Sequence, residues 1–216
     1  GGIFEKQPGT VLIGPQFSRV NIKVHHRLSA IRVDFYPGAI HRILGISMHE
    51  LFDKGVDALD LFNGEMESIS RQLQEIPNPD AGKNIVEQFL LRLTRHCSAA
   101  LPFDWAMREL LTNSGNMAIE KVASVSCLSL KQFERKCKEK IGMKPKTYGP
   151  ILKCSKAYRL HEMHPGISWT SIAYEAGYFD QMHMIRDFKV FAGVNPSVIQ
   201  RQLLSAPLRM QKDLPL

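Results

Sequence analysis

The chain has 216 residues, 44% hydrophobic and 23% charged, the balance of an ordinary globular protein, which excludes a disordered or fibrous one. No run approaches the roughly 18 to 20 apolar residues that a membrane span needs, and no basic-then-apolar signal segment opens the chain, so cytoplasmic residence without a membrane partner is expected. The net charge of +7 is unevenly placed: residues 1–102 carry 11 Lys/Arg against 11 Asp/Glu, and residues 103–216 carry 17 against 10, the asymmetry of a domain that meets a polyanion.

From the N-terminus, Val20, Ile22 and Val24 alternate, as do Ile31, Val33 and Phe35, which predicts half-buried strands with a turn at Pro37-Gly38. A capping box at Ser47-x-x-Glu50 predicts a helix of about two turns that stops at Gly55. Met66, Ile69 and Leu73 mark an amphipathic helix, broken at Ile76-Pro77-Asn78-Pro79-Asp80 because proline cannot continue the hydrogen-bond ladder. Asp80 is expected to cap the next helix, whose stripe of Ile85, Phe89 and Leu93, with Val86 and Leu90 beside it, suits the core of its own domain or a second subunit. From Phe103 onward short helices follow one another without strand alternation, and the charge changes at the same place. The expected organisation is α+β, with a mixed strand and helix portion over 1–102 and an all-α module over 103–216.

Cys97, Cys127, Cys137 and Cys154 lie 30, 10 and 17 residues apart with no C-x-x-C pair, so they read as reduced packing thiols. No metal or other cofactor is expected. His49-Glu50-Leu51-Phe52-Asp53 lacks the second histidine of a H-E-x-x-H zinc motif, and His161-Glu162-Met163-His164 brings it one residue early. Gly82-Lys83-Asn84 lacks the first glycine and the Ser/Thr of a phosphate loop. His25-His26, between strand patterns, reads as an exposed turn pair. An enzyme is therefore disfavoured.

The informative feature is an internal repeat. IEKVASVSCLSLKQFERKCKEKIGMKP and WTSIAYEAGYFDQMHMIRDFKVFAGVNP align nearly without gaps. Val122-Ala123 falls on Ile172-Ala173, and Cys127 on Gly177, at an offset of 50. After one extra residue in the second turn the offset becomes 51, where Ser129 falls on Asp180, Phe133 on Met184, Arg135 on Arg186, Cys137 on Phe188, Lys138 on Lys189, Gly142 on Gly193 and Pro145 on Pro196. Each copy has a short helix with an alanine that admits another backbone, a tight turn, and a second helix that starts at an N-cap, which is helix-turn-helix grammar.

In the first copy Ser129-x-x-Gln132 forms a capping box, and Phe133, Cys137 and Ile141 share the inner face. Lys131, Gln132, Glu134, Arg135 and Lys138 are left outside, carrying the donors and acceptors that base edges and phosphates complement. In the second copy Asp180 is the N-cap, Met184 and Phe188 point inward, and Gln181, His183, Arg186 and Lys189 point outward. The connecting helix, roughly Ile151 to Met163, places Lys153, Lys156 and Arg159 at three-residue spacing before His164-Pro165-Gly166 ends it, a stripe suited to phosphate contact or simply to solvent.

The elements VASVSCLSLKQFERKCKEKIGMKP and IAYEAGYFDQMHMIRDFKVFAGVNPS resemble the DNA-binding domain of the AraC/XylS family of bacterial transcription regulators over about residues 104 to 204. The resemblance implies that the helices Ser129 to Ile141 and Asp180 to Ala192 enter major grooves. It further implies base-edge contact for Lys131, Glu134 and Arg135 in the first unit, and for Gln181, Met182, His183 and Arg186 in the second. Duplex DNA is the implied partner, with RNA polymerase, a small-molecule effector and a second copy of the chain as further partners that it leaves room for. Cys127 stands where the family commonly has glycine, Cys137 where it commonly has phenylalanine, and Gly149-Pro150 interrupts the start of the connecting helix, so a looser first unit is expected.

Upstream, IRVDFYPGAIHRILGISMHELFDKGVDALDLFNGE is similar to the N-terminal sensing regions of some members, and the chain is expected to begin partway into such a region, its sheet lacking a strand. The rival is a non-specific or architectural nucleic-acid-binding protein, which shares the charge asymmetry without needing two helix-turn-helix units. Recognition of single-stranded RNA favours a sheet of exposed aromatics, whereas the 11 Phe and 5 Tyr fall mainly at core-like spacings.

Overall fold

A computed structural model describes residues 4–18, 20, 22–23, 29–62, 64–76, 78–95 and 97–203. Its residues form two compact units, one comprising Gly1–Gln16, Val20–Ala100 and Lys138–Gly142, the other Phe17–Arg19, Leu101–Cys137 and Met143–Leu216. The class is α+β: a small two-stranded sheet near the N-terminus and a largely helical C-terminal region.

In the first unit, β1 (Val11–Ile13) pairs antiparallel with β2 (Gly55–Asp57), with Leu12 opposite Val56. Those two side chains pack against a small core of Ile40, Met48 and Leu51. The alternating segments around Val20 and Ile31 form no strand among the described residues, and Val20 and Ile22 are exposed. Alternation supplies a face but not a pairing partner, and here the ladder forms elsewhere. The helix expected from Ser47 is also absent. Met48 to Asp53 instead make consecutive turns, with the Glu50, Leu51 and Phe52 amides donating to the carbonyls of Ser47, Met48 and His49, and Gly55 opens a strand rather than capping a helix. A six-residue helix, α1 (Ala39–Leu44), precedes it, bounded by left-handed Gly38 and Gly45. The Pro37-Gly38 signal was thus a helix entry.

The 3-10 turn Ala58–Asp60 follows, then α2 (Glu65–Glu75) and α3 (Pro79–Thr94). The expected stripe packs within this unit: Phe89 is buried beside Met66 and Ile69, and Ile85, Leu90 and Leu93 close around them. Phe62 meets Phe89 edge-on at 5.5 Å between ring centroids. Asn78, not Asp80, caps α3: its side chain accepts the Asp80 amide at 2.9 Å, and Pro79 takes the first turn, where its missing N–H costs nothing. Asp80 instead pairs with Lys83 at 3.0 Å.

The helices that follow are α4 (Pro102–Thr112), α5 (Ile119–Val125), α6 (Leu130–Ile141), α7 (Pro145–Met163), α8 (Trp169–Ala176), α9 (Gln181–Ala192) and α10 (Pro196–Leu203), all in the second unit except the end of α6 from Lys138 onward, which falls in the first. Contrary to expectation, α7 passes through Gly149 and Pro150 unbroken. Pro145 starts it with a preset φ, and Pro150 removes only the one amide that would have reached the Lys146 carbonyl. Gly149 is buried where the turn at Gly115 presses against it; a Cβ on Gly115, whose φ is +77°, would collide with the Gly149 carbonyl. Among the described residues no helix is long and apolar enough to cross a membrane.

Candidate nucleic-acid interface

The two copies of the repeat fold alike, down to single hydrogen bonds. At the end of α5 the Cys127 amide donates to the Ser124 carbonyl at 2.9 Å and the Leu128 amide to Ala123 at 3.1 Å; at the end of α8 the Gly177 amide donates to Tyr174 at 3.0 Å and Tyr178 to Ala173 at 2.9 Å. This geometry needs a left-handed residue after the helix. Gly177 supplies it with φ +87°, and Cys127 adopts φ +55° in spite of its Cβ.

Each turn then leads into a twelve-residue helix. At α6 the box closes as expected, with the Ser129 amide donating to Gln132 Oε1 at 3.1 Å and the Gln132 amide to Ser129 Oγ at 3.4 Å. At α9 the His183 amide donates to Asp180 Oδ1 at 2.6 Å. Both helices end at a left-handed glycine, Gly142 and Gly193, and Pro145 and Pro196 open the helices that follow.

Burial fixes which face of each helix is left over. In α6, Phe133, Cys137 and Ile141 are buried, and Phe133 packs on Phe103 of α4 at 5.7 Å. Cys137 is 1% exposed, with its Sγ 4.0 Å from the Met107 Sδ of α4. Burial and the nearby Glu134 carboxylate push its thiol up to about 12, so it stays neutral.

In α9, Met184 and Phe188 are buried in a core with Leu160, Ile172 and Tyr178. Trp169 meets Phe188 edge-on at 5.9 Å and stacks on His161 at 4.2 Å. His161 is 4% exposed and burial lowers its basicity, while His164 is exposed; the pair does not converge as ligands would. His25-His26 lies outside the described residues.

The outward positions are occupied by the residues expected there. Lys131, Gln132, Arg135 and Lys138 are exposed on α6, with Glu134 half-buried; Ser129, Lys131, Gln132 and Arg135 line a shallow depression. On α9, Met182, His183, Arg186 and Lys189 are exposed. Gln181 is half-buried, its Oε1 accepting from Thr170 Oγ1 at 2.6 Å. Asp187 is turned away from this face: burial raises its carboxyl, partly offset by the Tyr178 hydroxyl, His183 and Lys153.

The cations of the connecting helix are less exposed than those of α6 and α9. Lys153, Lys156 and Arg159 are all half-buried. Lys153 Nζ donates to the Gly177 carbonyl at 3.3 Å, a bond inside the protein that sequence spacing does not reveal. Arg159 is partly desolvated, which lowers its pKa, and its Nε is buried without a hydrogen-bond partner. Asn116, which the sequence did not single out, ties the two repeats together: its Nδ2 donates to the Ala176 carbonyl at 3.1 Å.

Two matched helix-turn-helix units with exposed cationic and polar faces define a DNA-binding fold class. Residues 106–202 match the family model described as a helix-turn-helix domain. The crystal structure of the DNA-binding domain of AdpA, the global transcriptional factor, in complex with a target DNA is similar to this chain at 18% identity, with 49% of this chain and 96% of that chain covered and a TM-score of 0.46. No curated protein matches the chain.

Proposed function

We propose that the chain is a sequence-specific regulator of transcription that inserts α6 and α9 into major grooves of duplex DNA and catalyses no reaction. The observation that carries this reading is the duplication itself: two twelve-residue helices, each following a turn closed by the same pair of hydrogen bonds, with long polar and cationic side chains outermost. Lys131, Gln132, Glu134 and Arg135 would read bases from α6, and Gln181, Met182, His183 and Arg186 from α9. Lys138, Lys189, Lys156 and Arg159 would meet phosphates. Arginine suits guanine O6 and N7 because its planar fork donates two parallel bonds, whereas lysine is a point charge indifferent to sequence. Lys153 we reassign to positioning, since its ammonium already serves the turn before α9.

In this reading residues 103–216 are the DNA-binding part and residues 1–102 the regulatory part, acting inside the cytoplasm. A small-molecule effector, a second copy of the chain and RNA polymerase are the partners such a regulator calls for. A non-specific architectural binder would share the charge, but it has no use for two differently armed recognition helices. Competition between a duplex recovered by selection, its scrambled version and an RNA of the same sequence tests the proposal. Preferential binding to the selected duplex supports it; equal binding to all three refutes it.

A further inference from the structure

The two recognition helices are not chemically equivalent. By its turn hydrogen bond Leu128 corresponds to Tyr178, and both N-caps follow in register at the next offset. Phe179 is therefore the inserted residue of the second turn, with no counterpart in the first. An apolar residue just before an N-cap ordinarily folds back on the fourth helical residue. That residue is Met184, already wholly buried, and Phe179 remains 86% exposed. Two residues into α9, Met182 is 58% exposed, where α6 has Lys131; Leu130, beside that lysine, is 38% exposed.

An aromatic ring and a thioether thus stand at the leading end of a helix whose next outward residues are His183 and Arg186. Leaving them in water forgoes the free energy of burying two large apolar side chains. The occupant is indicated by continuity with the polar face of the same helix. In the major groove the one methyl group offered by the standard base pairs is the C5 methyl of thymine, a larger apolar contact than the C5–H of cytosine. Methionine is suited to it because its flexible, polarizable side chain adapts to an irregular apolar surface.

We infer that the second unit reads thymine methyl groups through Met182 and Phe179, so that its half-site is thymine-bearing while that of the first unit is read by charged donors. This rests on the DNA-binding reading above. It predicts an asymmetric site in which exchange of the two half-sites abolishes preference.

Deoxyuridine in place of thymidine removes the methyl and leaves every hydrogen-bonding edge in place. The full chain is titrated against the selected duplex with each thymine replaced singly. Loss of one buried methyl is expected to weaken binding about fourfold. Met182→Ala and Phe179→Ala, both exposed and so safe for folding, should erase the loss at the thymines they cover, while Arg186→Ala should retain it. If the unaltered chain binds every deoxyuridine duplex as tightly as the parent, although Arg186→Ala still relaxes one base preference, the methyl reading is wrong and the regulator reading stands. A methyl effect that survives in both Met182→Ala and Phe179→Ala overturns the assignment to these side chains. If Phe179→Ala removes a slower species holding two chains without changing the thymine to uracil ratio, the patch is a protein contact and the inference fails. If selection recovers no preferred duplex, both readings fall together.

Discussion

Cys127 occupies a backbone conformation that its counterpart Gly177 occupies at no steric cost, so Cys127→Gly should stabilise the protein. A non-glycine residue in the left-handed region costs roughly 1 to 2 kcal/mol, because its Cβ crowds the following carbonyl oxygen. Cys127 has φ +55° and an exposed side chain, so no packing is lost on truncation. Against this, glycine loses more conformational freedom on folding, about 0.4 to 1 kcal/mol. The net expectation is a gain of about 0.5 to 1 kcal/mol in urea unfolding of the full chain. Cys127→Ala is the control: it removes the thiol, keeps the Cβ, and should be near neutral. The mirror substitution, Gly177→Ala, introduces the same strain at φ +87° and drives a Cβ into the Asn116 side chain, whose amide serves the Ala176 carbonyl. That change should cost roughly 0.5 to 3 kcal/mol, the strain plus the lost bond less the chain entropy that alanine saves. If Cys127→Gly proves destabilising, or if Cys127→Ala gains as much, backbone strain is not what distinguishes the two turns.

Arg186→Ala should lower affinity for the preferred duplex by roughly 1 to 3 kcal/mol and relax preference at one base pair, as measured against a panel of single-base variants. Lys156→Ala should weaken all duplexes alike and reduce the slope of log affinity against log salt by about one. Lys153→Met should leave that salt slope unchanged and lower stability by at most about 1 kcal/mol, because its bond to Gly177 lies within the protein. His161 is buried with its basicity lowered, so the native state binds fewer protons than the unfolded chain around the ordinary histidine pKa of 6.5. Its contribution is therefore present above that pH and lost as pH falls through and below it. His161→Phe keeps the stack on Trp169 and should flatten unfolding free energy between about pH 7 and 5; an unchanged slope would place the titrating group elsewhere.

Much of the DNA-binding half was legible because its signals are redundant. The repeat set the register, Ser129 and Asp180 set the helix starts, and Phe133, Met184 and Phe188 fell on inner faces by the helical period alone. The N-terminal half had no such redundancy. Its strands are three residues long, below any detectable alternation, while the stronger alternations around Val20 and Ile31 form no strand among the described residues, Val24 lying outside them. Ser47 and Glu50 had the spacing of a capping box, but Asp53 at φ +53° closes a turn there instead. Within the interface, the sequence identified the outward residues but not their internal commitments. Lys153 and Gly177 are 24 positions apart, and Asn116 and Ala176 are 60 apart; only folding brings either pair together. The change of offset from 50 to 51 did announce an extra residue in the second turn. That the residue would be an uncovered Phe179 required the burial of Tyr178 and Met184 to be seen.

In the proposed function α6 and α9 read one duplex at two places. Selection of the full chain on a random duplex library tests it directly. The expected product is two dissimilar short half-sites, one helical turn of about 10 base pairs apart, with affinity lost when five base pairs are inserted between them. Recovery of no motif, or of a single short motif indifferent to the insertion, would contradict the claim.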